Sequence, residues 1–230
     1  MSKHPINKNL NIIKASTFEN LPLGKPKIQG TYRFIEEYLN SNINVMDDAL
    51  HTHARTLAVR VDLHIPTLLD RSLNNLQEAI ITRFIKSLKS KVESHIARTA
   101  RGGRRVHYSG VKYIWVCERG KSNKDHYHLM LFLSSDTFRY PIFKSSLKSS
   151  HLAIMIVEAW QSALRVDFET AWHLVTIPSK GSYSLCNTPS PKDDLTYCAV
   201  FKHLSYFAKV KTKAYGENRN SYGCSRLPRF

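Results

Sequence analysis

The stretch that most constrains the fold is residues 112–133, KYIWVCERGKSNKDHYHLMLFL. KYIWVCE is β-branched and aromatic, RGKSNKD carries turn residues, and HYHLMLFL resumes as an apolar run, which together predict two strands joined by a loop. Side chains alternate along a strand, so His126, His128, Met130 and Phe132 share one face and Tyr127, Leu129, Leu131 and Leu133 the other. Glu118 ends the first strand, and an antiparallel return brings its carboxylate beside the two imidazoles. Two His and one carboxylate form a donor set for a divalent metal that leaves positions open for substrate oxygens. A His-x-His pair carries little weight alone in a chain with 11 His. Its weight here comes from conjunction with Glu118 and with a Tyr/Lys helix face near the C-terminus.

Upstream, residues 56–65, TLAVRVDLHI, alternate with Leu57, Val59, Val61, Leu63 and Ile65 on one face and Arg60, Asp62 and His64 on the other. If this strand neighbours the one carrying His126 with polar faces aligned, Asp62 competes with Glu118 as third ligand and Arg60 becomes a phosphate contact. An ordinary Arg60–Asp62 ion pair reads the same residues equally well. Pro66 ends the strand and Asp70 caps a long helix, whose stripe Leu73, Leu76, Ile80, Phe84, Leu88, Val92 and Ile96 is core. That helix runs into RTARGGRR, where Arg101, Arg104 and Arg105 on a flexible loop suit phosphate contacts. The hairpin loop adds Lys121 and Lys124. Beyond it, a helix opened by Pro141 includes residues 152–164 and buries Ile154, Val157, Trp160 and Leu164. Residues 171–177, AWHLVTI, read as a strand, and residues 178–194, rich in Pro, Ser, Gly and Asn, read as a loop.

Charge narrows the partner. The chain carries 34 Lys and Arg against 18 Asp and Glu, a formal +16. Residues 1–50 contribute 6 basic against 5 acidic residues, so the field belongs to residues 51–230. Such an excess points to a polyanion, and without an amphipathic anchor nucleic acid fits better than a membrane surface. No apolar run is long enough to span a bilayer and the N-terminus lacks a signal-peptide core, so the expected location is the cytoplasm of a bacterial host. Cys117, Cys186, Cys198 and Cys224 form no C-x-x-C pair and read as reduced thiols. Residues 1–50 read as an irregular arm with one short helix over 31–40, and residues 51–230 as the functional domain.

The last periodic segment runs from Leu195 to about Lys213. At roughly 100° per residue, Tyr197, Val200, Phe201, Leu204 and Ala208 gather on a packed side, and Lys202, Tyr206, Lys209 and Lys213 on a basic ridge opposite. Lys209, one turn from the Tyr206 phenol, would favour phenolate and hold a nearby phosphate. Lys202 and Lys213 extend the ridge for DNA.

Together, HYHLMLFL preceded by Glu118, the strand RVDLHI and the late helix with SYFAK resemble the His-hydrophobic-His superfamily of single-strand nucleases. RVDLHIP, the CERG…HYHLMLFL hairpin and LSYFAKVKTK are most similar to inovirus-type replication initiators and the prophage YagK/YfjJ C-terminal domain family. The resemblance spans about residues 51–226. It implies an α+β fold, a ferredoxin-like or RNA-recognition-like antiparallel sheet with helices packed on one face and metal and DNA on the sheet. It further implies a rolling-circle initiator that nicks single-stranded or hairpin origin DNA. His126 and His128 would hold Mg2+ or Mn2+ with Glu118 or Asp62 as third ligand, Tyr206 would take the 5′ phosphate, and Lys209 would match the family's lysine. Gly120, Lys121 and Ser122 resemble the end of a phosphate-binding loop, but Trp115 stands where the first Gly is required, so no nucleotide cofactor is expected and unwinding falls to a host helicase. A non-catalytic prophage-derived DNA-binding protein and a single-tyrosine transposase or relaxase are the alternatives.

Overall fold

The computed structural model describes residues 2–26, 30–66, 77–108, 110–119, 125–140, 150–211, 213 and 220–226. Short strands β1 (Ser2–Lys3), β2 (Asn11–Ile13) and β5 (Phe34–Ile35) form one small sheet, and β3 (Thr17–Phe18) and β4 (Leu21–Pro22) form another. Helix α1 (Glu36–Thr52) starts later and runs further than the sequence predicts. The central sheet is built from β6 (Arg55–His64), β7 (Lys112–Arg119), β8 (Asp125–Ser134), β9 (Val175–Thr176), β10 (Ser182–Cys186) and β11 (Tyr222–Cys224). Its order is β10-β6-β8-β7-β11, with β9 also on β6, and every pairing is antiparallel. Helices α2 (Gln77–Arg101) and α3 (His151–Leu164) complete the layer order, followed by α4 (Phe168–His173) and α5 (Leu195–Ser205). The run β6-α2-β7-β8-α3-β10 with spatial order fourth-first-third-second is the ferredoxin-like split βαβ arrangement.

The alternation read from the sequence sorts the two faces. Leu57, Val59, Val61, Leu63, Trp115, Tyr127, Leu129, Leu131 and Leu133 form one buried cluster with α2 and α3. Ile80, Phe84, Leu88 and Val92 supply α2's share, as its periodicity predicts, while Asp70, Leu73 and Leu76 lie outside the described residues. On α3 the packed side includes Val157, Trp160 and Leu164, with Ile156 fully buried and Ile154 only half so. Ser150 caps α3 by accepting from the Ala153 amide; Pro141 lies outside the described residues.

The other face is divided. Toward one end it is apolar, with Ala58, Ile114, Val116, Met130 and Phe132 packed under α1 and α5. Toward the other end it carries Arg60, Asp62, Glu118, His126 and His128. Burying a Phe, Met or Ile contributes roughly 1.5–3 kcal/mol each relative to exposure, whereas covering charged groups costs desolvation. The expected helices on one face are therefore joined by two more on the second face, and these cover its apolar half, while at the polar half Arg60, Asp62, His126 and His128 stay partly exposed and Glu118 is buried. The first fifty residues take part in that cover, since Leu21, Leu23, Phe34 and Leu39 belong to the second cluster.

Two local expectations differ from the structure. Residues 171–177 hold the end of α4 before the two-residue β9, because Asp167 accepts the Thr170 amide at 2.8 Å and nucleates a helical turn. The segment read as a loop over 178–194 contains β10, an edge strand whose Ser-rich sequence hides its pairing with residues 55–59 of β6. Among the described residues no helix is long and apolar enough to cross a membrane.

Candidate metal centre

Register places the donors. On β8, His126 sits opposite Glu118 of β7 and opposite His64 of β6, while His128 sits opposite Asp62. All of these side chains fall on the same face. Ligand atoms of Glu118, His126 and His128 lie within 4.8 Å of one another. His126 Nε2 and His128 Nε2 are 3.1 Å apart, and His128 Nε2 is 3.8 Å from Glu118 Oε2.

Asp62 is not part of that trio. Its Oδ1 lies 2.6 Å from His128 Nδ1, and because an ionised carboxylate only accepts, Nδ1 carries the hydrogen. The Nε2 lone pair of His128 is thereby turned toward His126 and Glu118. This is the arrangement in which a carboxylate behind an imidazole fixes the tautomer and raises the basicity of a metal-ligating nitrogen. The two carboxylates that competed in the sequence thus take different positions, Glu118 beside the imidazole nitrogens and Asp62 behind one of them. Burial alone would push the Asp62 carboxyl up; hydrogen bonds from His128 and Arg60 outweigh it and hold the group below the usual carboxylate range.

Arg60, expected to meet phosphate, is instead committed within the protein. Its Nε and Nη2 donate to the two Asp62 oxygens at 2.9 and 3.1 Å, and Nη1 donates to His203 Nε2 at 2.9 Å. Nη2 also lies 3.1 Å from His128 Nδ1, where both atoms carry hydrogens and the carboxylate between them holds the pair. With Nε2 of His203 accepting, its Nδ1–H donates to the Tyr183 hydroxyl 2.9 Å away. Burial, then the Arg60 guanidinium, lowers His203 to about 4. A chain of polar contacts therefore runs from His128 through Asp62, Arg60 and His203 to Tyr183. Neither Tyr183 nor His203 stands out in the sequence, the first because β10 reads as loop and the second because it lies between the two faces of α5.

The tyrosine region differs from its prediction. Asp194 caps α5 by accepting the Thr196 and Tyr197 amides, and the packed side of Tyr197, Val200, Phe201, Leu204 and Ala208 is buried as expected. However, α5 ends at Ser205 and a 3-10 turn carries Tyr206–Ala208. The helical spacing that aligned Lys209 and Lys213 with Tyr206 does not persist past that turn. Lys213 is buried, with Nζ 2.6 Å from the Lys209 carbonyl and 3.8 Å from Glu118 Oε1, so it lies beside the candidate metal centre and not on an exposed ridge. Burial pulls its ammonium down to about 8 against the opposing pull of Glu118. Lys202 remains exposed.

Tyr206 is half-buried. Its hydroxyl donates to the Lys25 carbonyl at 2.9 Å, its ring meets Tyr32 edge-on at 5.5 Å, and Lys209 Nζ lies 5.0 Å above its ring and 5.1 Å above that of Tyr32. The lysine thus sits on the ring face and not at the phenol oxygen. Burial, then the neighbouring Tyr32, raises the phenol above its ordinary value, contrary to the expected phenolate. A Cβ on Gly24 would stand 2.5 Å from the Tyr206 ring, so only glycine fits there. Tyr206 lines a cavity of about 280 Å3 with Arg60, Tyr183, Lys202 and His203, and Arg60 is its link to the metal centre. Tyr197 is an unsuitable nucleophile, since it is buried and donates to Asp47 at 2.7 Å. Tyr215, Lys121 and Lys124 lie outside the described residues.

Arg101, Arg104 and Arg105 are exposed but lie where α2 ends and the chain approaches Lys112. Glu118 is at the other end of β7, roughly 20 Å away at ~3.3 Å per residue.

The model of the YagK/YfjJ C-terminal domain matches residues 16–225. The chain belongs to that family. Among its relatives are two Escherichia coli (strain K12) proteins, each described as uncharacterized. YfjJ is 33% identical over 189 residues, 79% of this chain and 90% of YfjJ. YagK is 32% identical over 205 residues, 86% of this chain and 97% of YagK. No solved structure matches significantly. The YagK/YfjJ match thus spans both the central sheet and the N-terminal segment that touches Tyr206.

Proposed function

We propose that this YagK/YfjJ chain is a metal-dependent single-strand DNA endonuclease and strand transferase of the His-hydrophobic-His type, acting as a rolling-circle replication initiator of phage or prophage origin in the bacterial cytoplasm. The observation that carries the reading is the convergence of Glu118, His126 and His128 within 4.8 Å, backed by Asp62 on His128. Two imidazoles and a carboxylate are a donor set that suits Mn2+, with Mg2+ as the more oxygen-demanding alternative. A divalent ion held there would polarise a non-bridging phosphate oxygen and offset the charge that develops during displacement.

The chain's own residues supply the rest. Tyr206 releases the Lys25 carbonyl, loses its proton to solvent, and its oxygen forms the bond to phosphorus as the bond to the 3′ oxygen breaks and that oxygen takes up a proton. The tyrosyl ester retains the energy of the phosphodiester, so a later 3′ hydroxyl reseals the strand without ATP. Lys202 and Lys209 lie beside Tyr206 to meet phosphate, and Arg60 keeps Asp62 and His128 aligned.

The test is incubation with single-stranded origin-region DNA and Mn2+, followed by a denaturing gel. A covalent protein–DNA adduct that needs both metal and Tyr206 is expected. The hydrogen bond from Tyr206 to Lys25 and its raised phenol favour one rival, a non-catalytic DNA-binding protein, which binds the same DNA and yields no adduct across sequences.

A further inference from the structure

A groove of about 590 Å3 opens between α2 and the start of β7, beside β11. Tyr113 and Trp115 face it, and by strand alternation they point to the side of the sheet opposite Glu118. The groove is therefore separate from the metal centre. Its floor is apolar, with Ile85, Ile96 and Val111. Its rim is basic: Lys86, Lys89 and Arg226 line it against one carboxylate, Glu93. Lys86, Lys89, Glu93, Ala97 and Arg101 follow one another at three- and four-residue steps along α2, so Arg101 extends the same stripe past the groove's end. Arg104 and Arg105 continue the positive charge between that helix end and Tyr108.

Tyr108 supplies the second element. It is 75% exposed and folds back on the chain: a Cβ on Gly110 would lie 2.8 Å from its hydroxyl, and its ring lies 6.3 Å from that of His53. His53 is in turn buried and paired through Nε2 with the Gly110 carbonyl at 3.0 Å. Tyr113 already has Lys89 Nζ 5.4 Å over its ring, which leaves Tyr108 as the platform.

We infer that this groove is a second nucleic-acid site that holds a single-stranded segment, its phosphates along the Lys86–Arg101 stripe and an unpaired base stacked on Tyr108. Charge complementarity selects a polyanion, and an exposed aromatic ring selects unpaired bases, whose faces a duplex conceals. The inference shares with the proposed function only the premise of a nucleic-acid partner; it needs neither metal nor Tyr206. A strand bound here and another part of it bound on the opposite face would be held at two points, with the nuclease reading assigning the cut to the second.

Fluorescence anisotropy with labelled dT30 in EDTA tests it. The triple variant Lys86→Ala, Arg101→Ala, Arg226→Ala is expected to bind dT30 at least tenfold more weakly, with a salt slope shallower by about 2, from ~0.7 per lost phosphate contact on a single strand. Tyr108→Ala is expected to weaken binding about tenfold with the slope unchanged, the size of one lost base stack, and Tyr108→Phe to restore it. Wild-type affinity and slope in the triple variant overturn the inference, as does a loss seen with a 30-base-pair duplex but not with dT30. Equal losses in Tyr108→Ala and Tyr108→Phe overturn the stacking role. Since no cleavage is read, absence of a covalent adduct leaves this result intact, and loss of the groove leaves the adduct assay interpretable.

Discussion

The candidate metal centre and the tyrosine region border one another through Arg60, yet they are built differently. His126, His128, Glu118 and Asp62 stand on three adjacent strands, and their proximity follows from register. Tyr206 stands on a 3-10 turn, and its position depends on Gly24, Lys25 and Tyr32 from the far end of the chain. A sheet site is fixed by a repeating pattern that also builds the core; a turn site is fixed by particular contacts. The first should tolerate changes in its surroundings and weaken only when one of these four residues is lost, whereas the second should respond to substitutions well away from its chemistry.

The sharpest break is Tyr206→Phe. It should form no covalent adduct while Mn2+ affinity by calorimetry stays at wild-type level and stability falls by about 1 kcal/mol for one lost hydrogen bond. If the adduct persists, another tyrosine is the nucleophile. The reciprocal variant, His126→Ala/His128→Ala, should bind no measurable Mn2+ and keep most of its salt-sensitive DNA affinity, which comes from Lys and Arg. Retained Mn2+ binding would place the metal elsewhere. Next in size is Asp62→Asn, expected to lower Mn2+ affinity about 10–100-fold, the usual effect of removing a residue behind a ligand. Glu118→Gln should cost more, and the opposite ranking would exchange their roles.

His203 gives a pH test of the contact between the regions. It is held neutral, with a folded value near 4 against an unfolded value of 6.5. Above 6.5 both states are neutral and nothing is lost; as pH falls from 6.5 toward 4 the unfolded chain takes up a proton that the folded one refuses, so stability declines. The decline attributable to His203 is roughly 3 kcal/mol over that window. In His203→Gln the unfolding midpoint in urea should therefore fall less between pH 6.5 and 4 than in the wild type, and an identical slope would remove His203 from the relay. The smallest expected effect on the chemistry is that of Gly24→Ala, which crowds the Tyr206 ring. It should destabilise by roughly 1–3 kcal/mol as an overpacked site does, with slower adduct formation and unchanged Mn2+ affinity. A change confined to Mn2+ affinity would contradict the separation of the two regions.

What the sequence made legible divides along the same line. Alternation in residues 57–65 and 126–133 determined which side chains share a face, and a one-residue slip would have moved every apolar residue out of the core, so the His pair and Glu118 could be placed before any coordinates. The packed side of α5 was equally readable from its period. Legibility ended where periodicity did. The chain leaves the helix at Ser205, so extrapolated spacing put Lys213 on a surface ridge when it is buried beside Glu118. Arg60 and Asp62 read as an ordinary ion pair because nothing local signals that His203 and His128 complete their surroundings. β10 was missed because an edge strand needs little apolar sequence once β6 supplies its hydrogen bonds.

The hydrogen bond from Tyr206 to Lys25 and the one from the Gly24 amide to Ser205 each join positions 181 residues apart. During synthesis the hairpin that carries the imidazoles emerges well before Tyr206 does, and the segment around Gly24 waits for its partner until almost the whole chain is made. Contacts of such long sequence separation form late because loop closure must come first. A nascent or prematurely terminated chain would thus hold the Glu118–His126–His128 hairpin and much of its positive charge before Tyr206 is positioned, so on the proposed function it could engage DNA before it could cut.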